Sequence, residues 1–379
     1  MSKKSDIRIA VDARVLLRHI GGVNVYLTEI IRWLGELRPD IKFILCIDKN
    51  EKTIEYFLRN NPNCEVKIIP LPCVSLRTGG NFMAPVWLHY LVPLKISKRD
   101  ADLFWGPNLL VPGRLCSIPQ IVTVHDFGPY QKYYSEKPVW KLMFKIVFPY
   151  GLKSCKAVIL ASKYIEIECH RRFPFTINRT KTINLGLRTL KSERSNYKGY
   201  KDYILAVGNI TDRKNYTTLI DSYNLIRKAG IKSKLIICGV PGWGFDDVRK
   251  RIRKYDLEGH VILETNVDDE TLYQLYANAA LFAMPSYYEG FGLPALEAMS
   301  FGLPCIVSNN SSLPEIVNDA GICLPPDDVN LWADNMKKLL LDTELSKSFS
   351  AKAIKRAKQF TWTKAAEETI SVFEGIISN

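Results

Sequence analysis

The chain has 379 residues, 47% of them apolar and 24% charged, which excludes a disordered, collagenous or coiled-coil molecule and fits two domains of roughly 190 residues each. Its 52 Lys and Arg outnumber its 39 Asp and Glu by 13, and the surplus is confined to residues 1–190, which hold 29 basic and 15 acidic residues against 23 and 24 in residues 191–379. A basic half of this kind calls for an anionic partner: nucleic acid, an anionic membrane surface or an anionic substrate.

Residues 7–11 are a short apolar run ending at Asp12, and a loop with Gly21-Gly22 follows. The spacing of Val25, Leu27, Ile30, Ile31 and Leu34 predicts a helix. Strands are predicted at 43–47, 66–69, 121–124 and 157–161. Residues 188–202 are polar and without period, which reads as a linker between a domain at 1–187 and one at 203–360. The alternation then restarts, with strands at 203–207, 235–238, 261–263, 281–284 and 305–307. Helices at 215–229, 246–255, 269–279 and 294–301 separate them. Two such series predict an α/β protein of two Rossmann-like domains, with ligands at the carboxyl ends of parallel strands. An amphipathic helix over 361–379 closes the chain.

The nine cysteines are Cys46, Cys64, Cys73, Cys116, Cys155, Cys169, Cys238, Cys305 and Cys323. No two are spaced C-x-x-C, which argues against a disulfide framework and a thiolate zinc site and for a reducing cytoplasm. The polar start of the chain reads as lacking a signal peptide, and no apolar run approaches the ~18 residues of a spanning helix. In residues 137–153, Trp140, Phe144 and Phe148 share one helical face beside Lys137, Lys141 and Lys145. That pattern suits an interfacial helix with snorkelling lysines, and equally a helix packed in the core.

The densest chemistry lies in the segment Ser286-Tyr287-Tyr288-Glu289-Gly290-Phe291-Gly292-Leu293-Pro294-Ala295-Leu296-Glu297-Ala298-Met299, between a strand and a helix. Glycines there let backbone N–H groups approach a ligand, and a helix N-terminus favours an anion. Glu289 and Glu297 bracket the loop, and a carboxylate can accept from both hydroxyls of a sugar diol. Arg213 and Lys214, after the strand at 203–207, can neutralise a diphosphate. His125-Asp126 follows the strand at 121–124. The Gly21-Gly22 loop lacks the G-x-G-x-x-G pattern of a dinucleotide enzyme.

Together these segments resemble family 4 of the retaining glycosyltransferases, with its E-x7-E signature, most closely the branch of bacterial polysaccharide mannosyltransferases. The resemblance also covers Gly208-Asn209-Ile210, Cys238-Gly239, Gly242-Trp243, Val267-Asp268-Asp269-Glu270, residues 308–315 and Phe360-Thr361-Trp362. It implies the GT-B fold, two Rossmann-like domains facing across a cleft, with the closing helix crossing back to the N-terminal domain. It implies a nucleotide-diphosphate sugar donor, with GDP-mannose favoured, no cofactor and no required metal. Glu297 would hold the ribose and Glu289 the donor sugar. Phe291, Gly292 and Leu293 would offer N–H groups to sugar and phosphates, and Val267 would lie beside the base. Gly21 and Gly22 would lie against the donor phosphates or the acceptor. His125, oriented by Asp126, would sit near the donor sugar and the leaving group. The implied acceptor is a lipid-linked oligosaccharide at the inner face of the cytoplasmic membrane, which would account for the basic half without nucleic acid. Two other readings are a nucleotide-sugar 2-epimerase of the same fold and a non-catalytic nucleic-acid binder.

Overall fold

The computed structural model describes residues 7–17, 21–49, 51–71, 86–133, 138–188 and 200–378. Most of the 188–202 segment therefore lies outside the described residues, as do Lys137 and Cys73. The chain forms two compact units. The first comprises 1–129, 136–186 and 361–379, and the second 130–135 and 187–360.

The sheet of the first unit has the order β3-β2-β1-β4-β5-β6-β7. Its strands are β1 (Ile7–Asp12), β2 (Ile41–Ile47), β3 (Cys64–Ile68), β4 (Leu103–Gly106), β5 (Gln120–Val124), β6 (Ala157–Leu160) and β7 (Thr180–Thr182). The second unit has the order β10-β9-β8-β11-β12-β13. These strands are β8 (Tyr203–Val207), β9 (Leu235–Cys238), β10 (Val261–Glu264), β11 (Ala279–Met284), β12 (Cys305–Ser308) and β13 (Gly321–Leu324). All pairs are parallel, and in the second sheet Leu205 faces Ile236 on one side and Phe282 on the other. Central strands are buried along their whole length, as parallel strands covered by helices on both faces must be. In each sheet the strand order reverses once, between β1 and β4 and between β8 and β11. In a doubly wound sheet the crevice for a ligand opens there.

Three strands escape the sequence reading. β4 is only Leu-Phe-Trp-Gly, β7 is the polar triplet Thr-Lys-Thr, and β13 is a four-residue edge strand. Each is too short to show a period.

The helix Pro138–Ser154 resolves the two readings of its aromatic face. Phe144 and Phe148 are buried and stacked at 5.0 Å, and Phe148 meets Phe127 and Phe173 edge-on. The expected interfacial face of Phe144 and Phe148 is therefore a core face, while the side chain of Trp140 lies outside what is described. Among the described residues no helix is long and apolar enough to cross a membrane.

The last helix, Trp362–Ile377, belongs to the first unit and packs on the helix Gly22–Leu37. Thr361 caps it by accepting from Lys364 N. A side chain at Gly186 would collide with the backbone of Trp362, so the absence of a Cβ there lets the two segments touch. Phe373 packs against Trp105 of β4, and Arg38 pairs with Glu374.

Candidate active site

The reversal point of the second sheet lies between the loop after β8 and the loop after β11. The first loop begins at Gly208, whose φ of 142° suits glycine and where a Cβ would lie 2.8 Å from Lys214 Cε, too close for the lysine to pass. It ends in a single 3-10 turn, Asp212–Lys214, and then Asn215 in the left-handed region. Asn215 holds that conformation through its own side chain, which donates to Pro326 O at 2.8 Å and accepts from Thr218 Oγ1 at 2.9 Å. The turn aims Arg213 and Lys214 at the second loop. Lys214 Nζ donates to Glu289 Oε1 at 2.6 Å, and Arg213 donates to Glu289 Oε2 at 3.0 Å and to Tyr288 O at 2.5 Å. Lys214 is 5% exposed and Glu289 7%. Burial by itself would raise the Glu289 carboxyl, but Arg213 and Lys214 outweigh it and hold it at about 2. Two cations against one carboxylate leave this cluster with a net positive charge.

The second loop is clamped from the end of β12 by serines. Ser308 donates to Ser286 O, and Ser311 Oγ accepts the Glu289 N–H at 2.9 Å. The Ser312 hydroxyl lies 2.8 Å from the Phe291 carbonyl and 3.0 Å from that of Glu289. Gly292 then turns with φ 108° into the helix Leu293–Ser300, with Pro294 in its first turn. Phe291 is buried edge-on against Phe360. That helix starts four residues after Glu289, at the end of the loop that carries the cluster's carboxylate.

Glu297 sits one turn inside the same helix and is equally buried, but its surroundings differ. Its Oε2 accepts from Tyr276 O–H at 3.0 Å, and its Oε1 meets Arg188 at 3.4 Å. Burial pushes the Glu297 carboxyl up, Arg188 and Tyr276 oppose that only in part, and Asp269 adds to it. Val267 lies apart from the charged cluster, in the loop after β10 and two strands from the reversal point. That loop leads through the capping residue Asp268 to Asp269, which Arg188 ties to the Glu297 side of the site.

The remaining sequence-derived residues belong to the first unit. Gly21, with φ 135°, precedes the helix Gly22–Leu37 after β1. From that helix Tyr26 packs edge-on against the His125 ring at 4.6 Å. His125 Nε2 lies 2.8 Å from Pro107 O, an acceptor, so Nε2 carries the proton. Burial lowers its pKa, and the neutral ring keeps Nδ1 as its acceptor. Asp126 acts on the His125 ring through its charge, and one of its oxygens also serves its own loop. Its Oδ1 accepts from Gly128 N at 2.8 Å and shapes the loop, while Pro107 and Tyr26 orient the histidine.

Residues 20–189 match the family model described as Glycosyltransferase Family 4, and residues 188–356 match the model described as Glycosyl transferases group 1. O-antigen chain mannosyltransferase B of Escherichia coli is 32% identical over 284 residues, covering 72% of this chain and 74% of that protein. The chain belongs to the family 4 glycosyltransferases. O-antigen chain mannosyltransferase RfbU of Salmonella typhimurium is 28% identical over 322 residues, covering 82% of this chain and 85% of the relative. The solved structure of HepE from Anabaena, with UDP and glucose, superposes with a TM-score of 0.76 at 17% identity, covering 97% of this chain and 100% of that one. The fold is GT-B.

Sequence reasoning about this family 4 glycosyltransferase missed two sets of site residues. The clamping serines Ser308, Ser311 and Ser312 lie in the 308–315 segment, where nothing in the residue types alone marks them as clamps. Arg188 stands at the edge of a polar stretch that reads as linker, and nothing in its neighbours marks it. Only the folded chain brings it to Glu297.

Proposed function

We propose that this glycosyltransferase moves a mannosyl group from GDP-mannose, with retention, to a hydroxyl of a lipid-linked glycan in the assembly of a bacterial surface polysaccharide. The observation that carries this reading is the buried Arg213–Lys214–Glu289 cluster at the β8/β11 reversal point, beside the N-terminus of the helix Leu293–Ser300. The relatives named as O-antigen mannosyltransferases support the choice of sugar and acceptor.

In the proposed reaction the bond between the sugar C1 and the diphosphate oxygen breaks as a bond from C1 to the acceptor oxygen forms on the same face. The acceptor hydroxyl proton passes to the departing diphosphate, so no enzyme nucleophile is needed. The net positive cluster and the helix N-terminus balance the charge that develops on the diphosphate. Glu289 holds the two cations and accepts from donor-sugar hydroxyls, and Glu297 accepts from the ribose diol. Within the first unit, His125 keeps Nδ1 as an acceptor for a hydroxyl, and Gly21-Gly22 permit close approach of backbone. On this reading the protein's own cations suffice, so turnover persists in EDTA.

The basic unit meets the acceptor at an anionic membrane surface. Leu142 and Ile146, 61% and 66% exposed, lie beside Lys145 and Lys153 on the outer side of the Pro138–Ser154 helix, where apolar side chains and lysines suit a lipid interface.

Thermal-shift titration with GDP-mannose, GDP, UDP-glucose and UDP tests the donor, because a ligand of the native state raises its melting temperature. GDP-mannose should give the largest shift, and transfer to a polyprenyl-linked saccharide should follow by mass spectrometry. No shift with any nucleotide sugar overturns the reading. Conversion of GDP-mannose alone to an epimer would replace it with the epimerase reading.

A further inference from the structure

Arg188 is the only cation shown in contact with Glu297 among the described residues. Its guanidinium is anchored firmly to Asp269, NH1 to Oδ2 at 2.9 Å, and reaches Glu297 Oε1 more loosely at 3.4 Å. The ring of Tyr273 lies 5.8 Å from the guanidinium carbon. Among the described residues Arg188 Nε is buried with no acceptor. This arrangement is poorly suited to plain structural pairing, in which a fork of donors would saturate one carboxylate. It suits a cation held by an exposed partner so that its charge, rather than its full set of hydrogen bonds, acts on a buried one.

The geometry points to Arg188 as the positioning residue that keeps Glu297 available as a charged acceptor for the ribose hydroxyls of the donor. The inference rests on the reading of Glu297 as the ribose contact. The groups that face Glu297 are Arg188, Tyr276 and Asp269. Burial favours the neutral carboxyl and so does Asp269, whereas Arg188 and the Tyr276 hydroxyl favour the carboxylate. Tyr276 is itself pushed well above its usual range by burial, so it stays a neutral donor. Without Arg188 the carboxyl would face Asp269 with only a phenol to support it. It would then hold its proton to higher pH, and a protonated carboxyl is a poorer acceptor for the ribose diol.

The test is the dissociation constant of GDP-mannose for Arg188→Gln, measured by calorimetry between pH 5.5 and 8.5 and divided by that of the unaltered enzyme. GDP-mannose is a suitable probe because its diphosphate diester does not titrate in that range. The ratio should stay within about twofold at pH 8.5 and climb as pH falls, approaching tenfold per pH unit below the raised carboxyl pKa. Arg188→Lys, which keeps the charge, should bring the ratio back toward one. Adding Glu297→Gln to Arg188→Gln should remove the pH dependence. A flat ratio, or tighter binding by Arg188→Gln, overturns the inference. If Glu297→Gln alone leaves affinity unchanged, the ribose reading fails. If Glu297→Gln weakens binding while Arg188→Gln does not, the ribose reading stands and only the role of Arg188 falls. Should Arg188→Gln lose its cooperative melt, Arg188→Met, which removes the charge with an apolar side chain, gives the same ratio, and a flat ratio for it overturns the inference.

Discussion

Glu289 and Glu297 lie eight residues apart in one motif and are buried to the same degree, yet their environments push them in opposite directions. Around Glu289 the loop after β8 delivers two cations in direct contact, and their attraction exceeds the cost of removing the carboxylate from water. Around Glu297 the one cation is shared with Asp269 and stands farther off, so burial prevails. Equal spacing and equal burial therefore do not make equal carboxylates. The first is gripped by two cations, whereas the second has a phenol and a shared, more distant guanidinium for partners.

The sharpest way to break this contrast is to remove a cation from the first site. Lys214→Met leaves Arg213 as the cation on Glu289 but strips the 2.6 Å charged hydrogen bond from Oε1, a loss of about 2 kcal/mol. Urea denaturation should show that loss, and turnover should fall by about a hundredfold or more, since a fixed charge on the leaving diphosphate is gone. A stability like that of the unaltered enzyme would mean that Glu289 is held by other groups.

Acid should separate the two sites next. The Glu289 carboxyl lies below its unfolded value, so its contribution, about 3 kcal/mol, is full above pH 4.5 and is lost as pH falls toward 2. Glu297 has the opposite sign: its raised carboxyl favours the folded state at low pH, and that contribution disappears as pH rises through the folded value. Glu289→Gln should therefore flatten the acid limb of the stability profile, whereas Glu297→Gln should steepen it slightly.

The smallest effect expected is that of Glu297→Gln on stability at pH 7, within about 1 kcal/mol, because the desolvation it relieves and the pairing it loses nearly offset. GDP-mannose affinity should nonetheless fall about tenfold, the value of one charge-assisted hydrogen bond. A large drop in melting temperature would make Glu297 a structural residue rather than a ligand contact.

The alternation of strands and helices in the second unit is legible because its inner strands are unbroken apolar runs and the helices between them carry a helical period. Tyr203–Val207 and the helix after Asn215 are recovered to within a residue. The reversal point is not legible, since strand order depends on β11 returning beside β8, a pairing that no local pattern records. Arg213, Lys214 and Glu289 are nameable from motif and chemistry, but their mutual contact is not. It depends on a 3-10 turn, a left-handed Asn215 and three serines from another loop. At His125 the neighbour Asp126 is legible, but the Pro107 carbonyl and the Tyr26 ring that hold the imidazole are not.

The closing helix has a consequence for how the chain comes off the ribosome. Every strand of the second sheet has been synthesised by Leu324, while the helix Gly22–Leu37 still waits for Trp362–Ile377 to cover it. The core of the second unit also takes Trp332, Met336 and Leu339 from the helix Val329–Leu341, and that unit is fully synthesised by Phe360, while the basic unit, begun first, is still missing its last helix. Until then Leu27, Ile30 and Phe43 of the emerging chain belong to an unfinished core, and the unit that starts the sequence is the last to be finished.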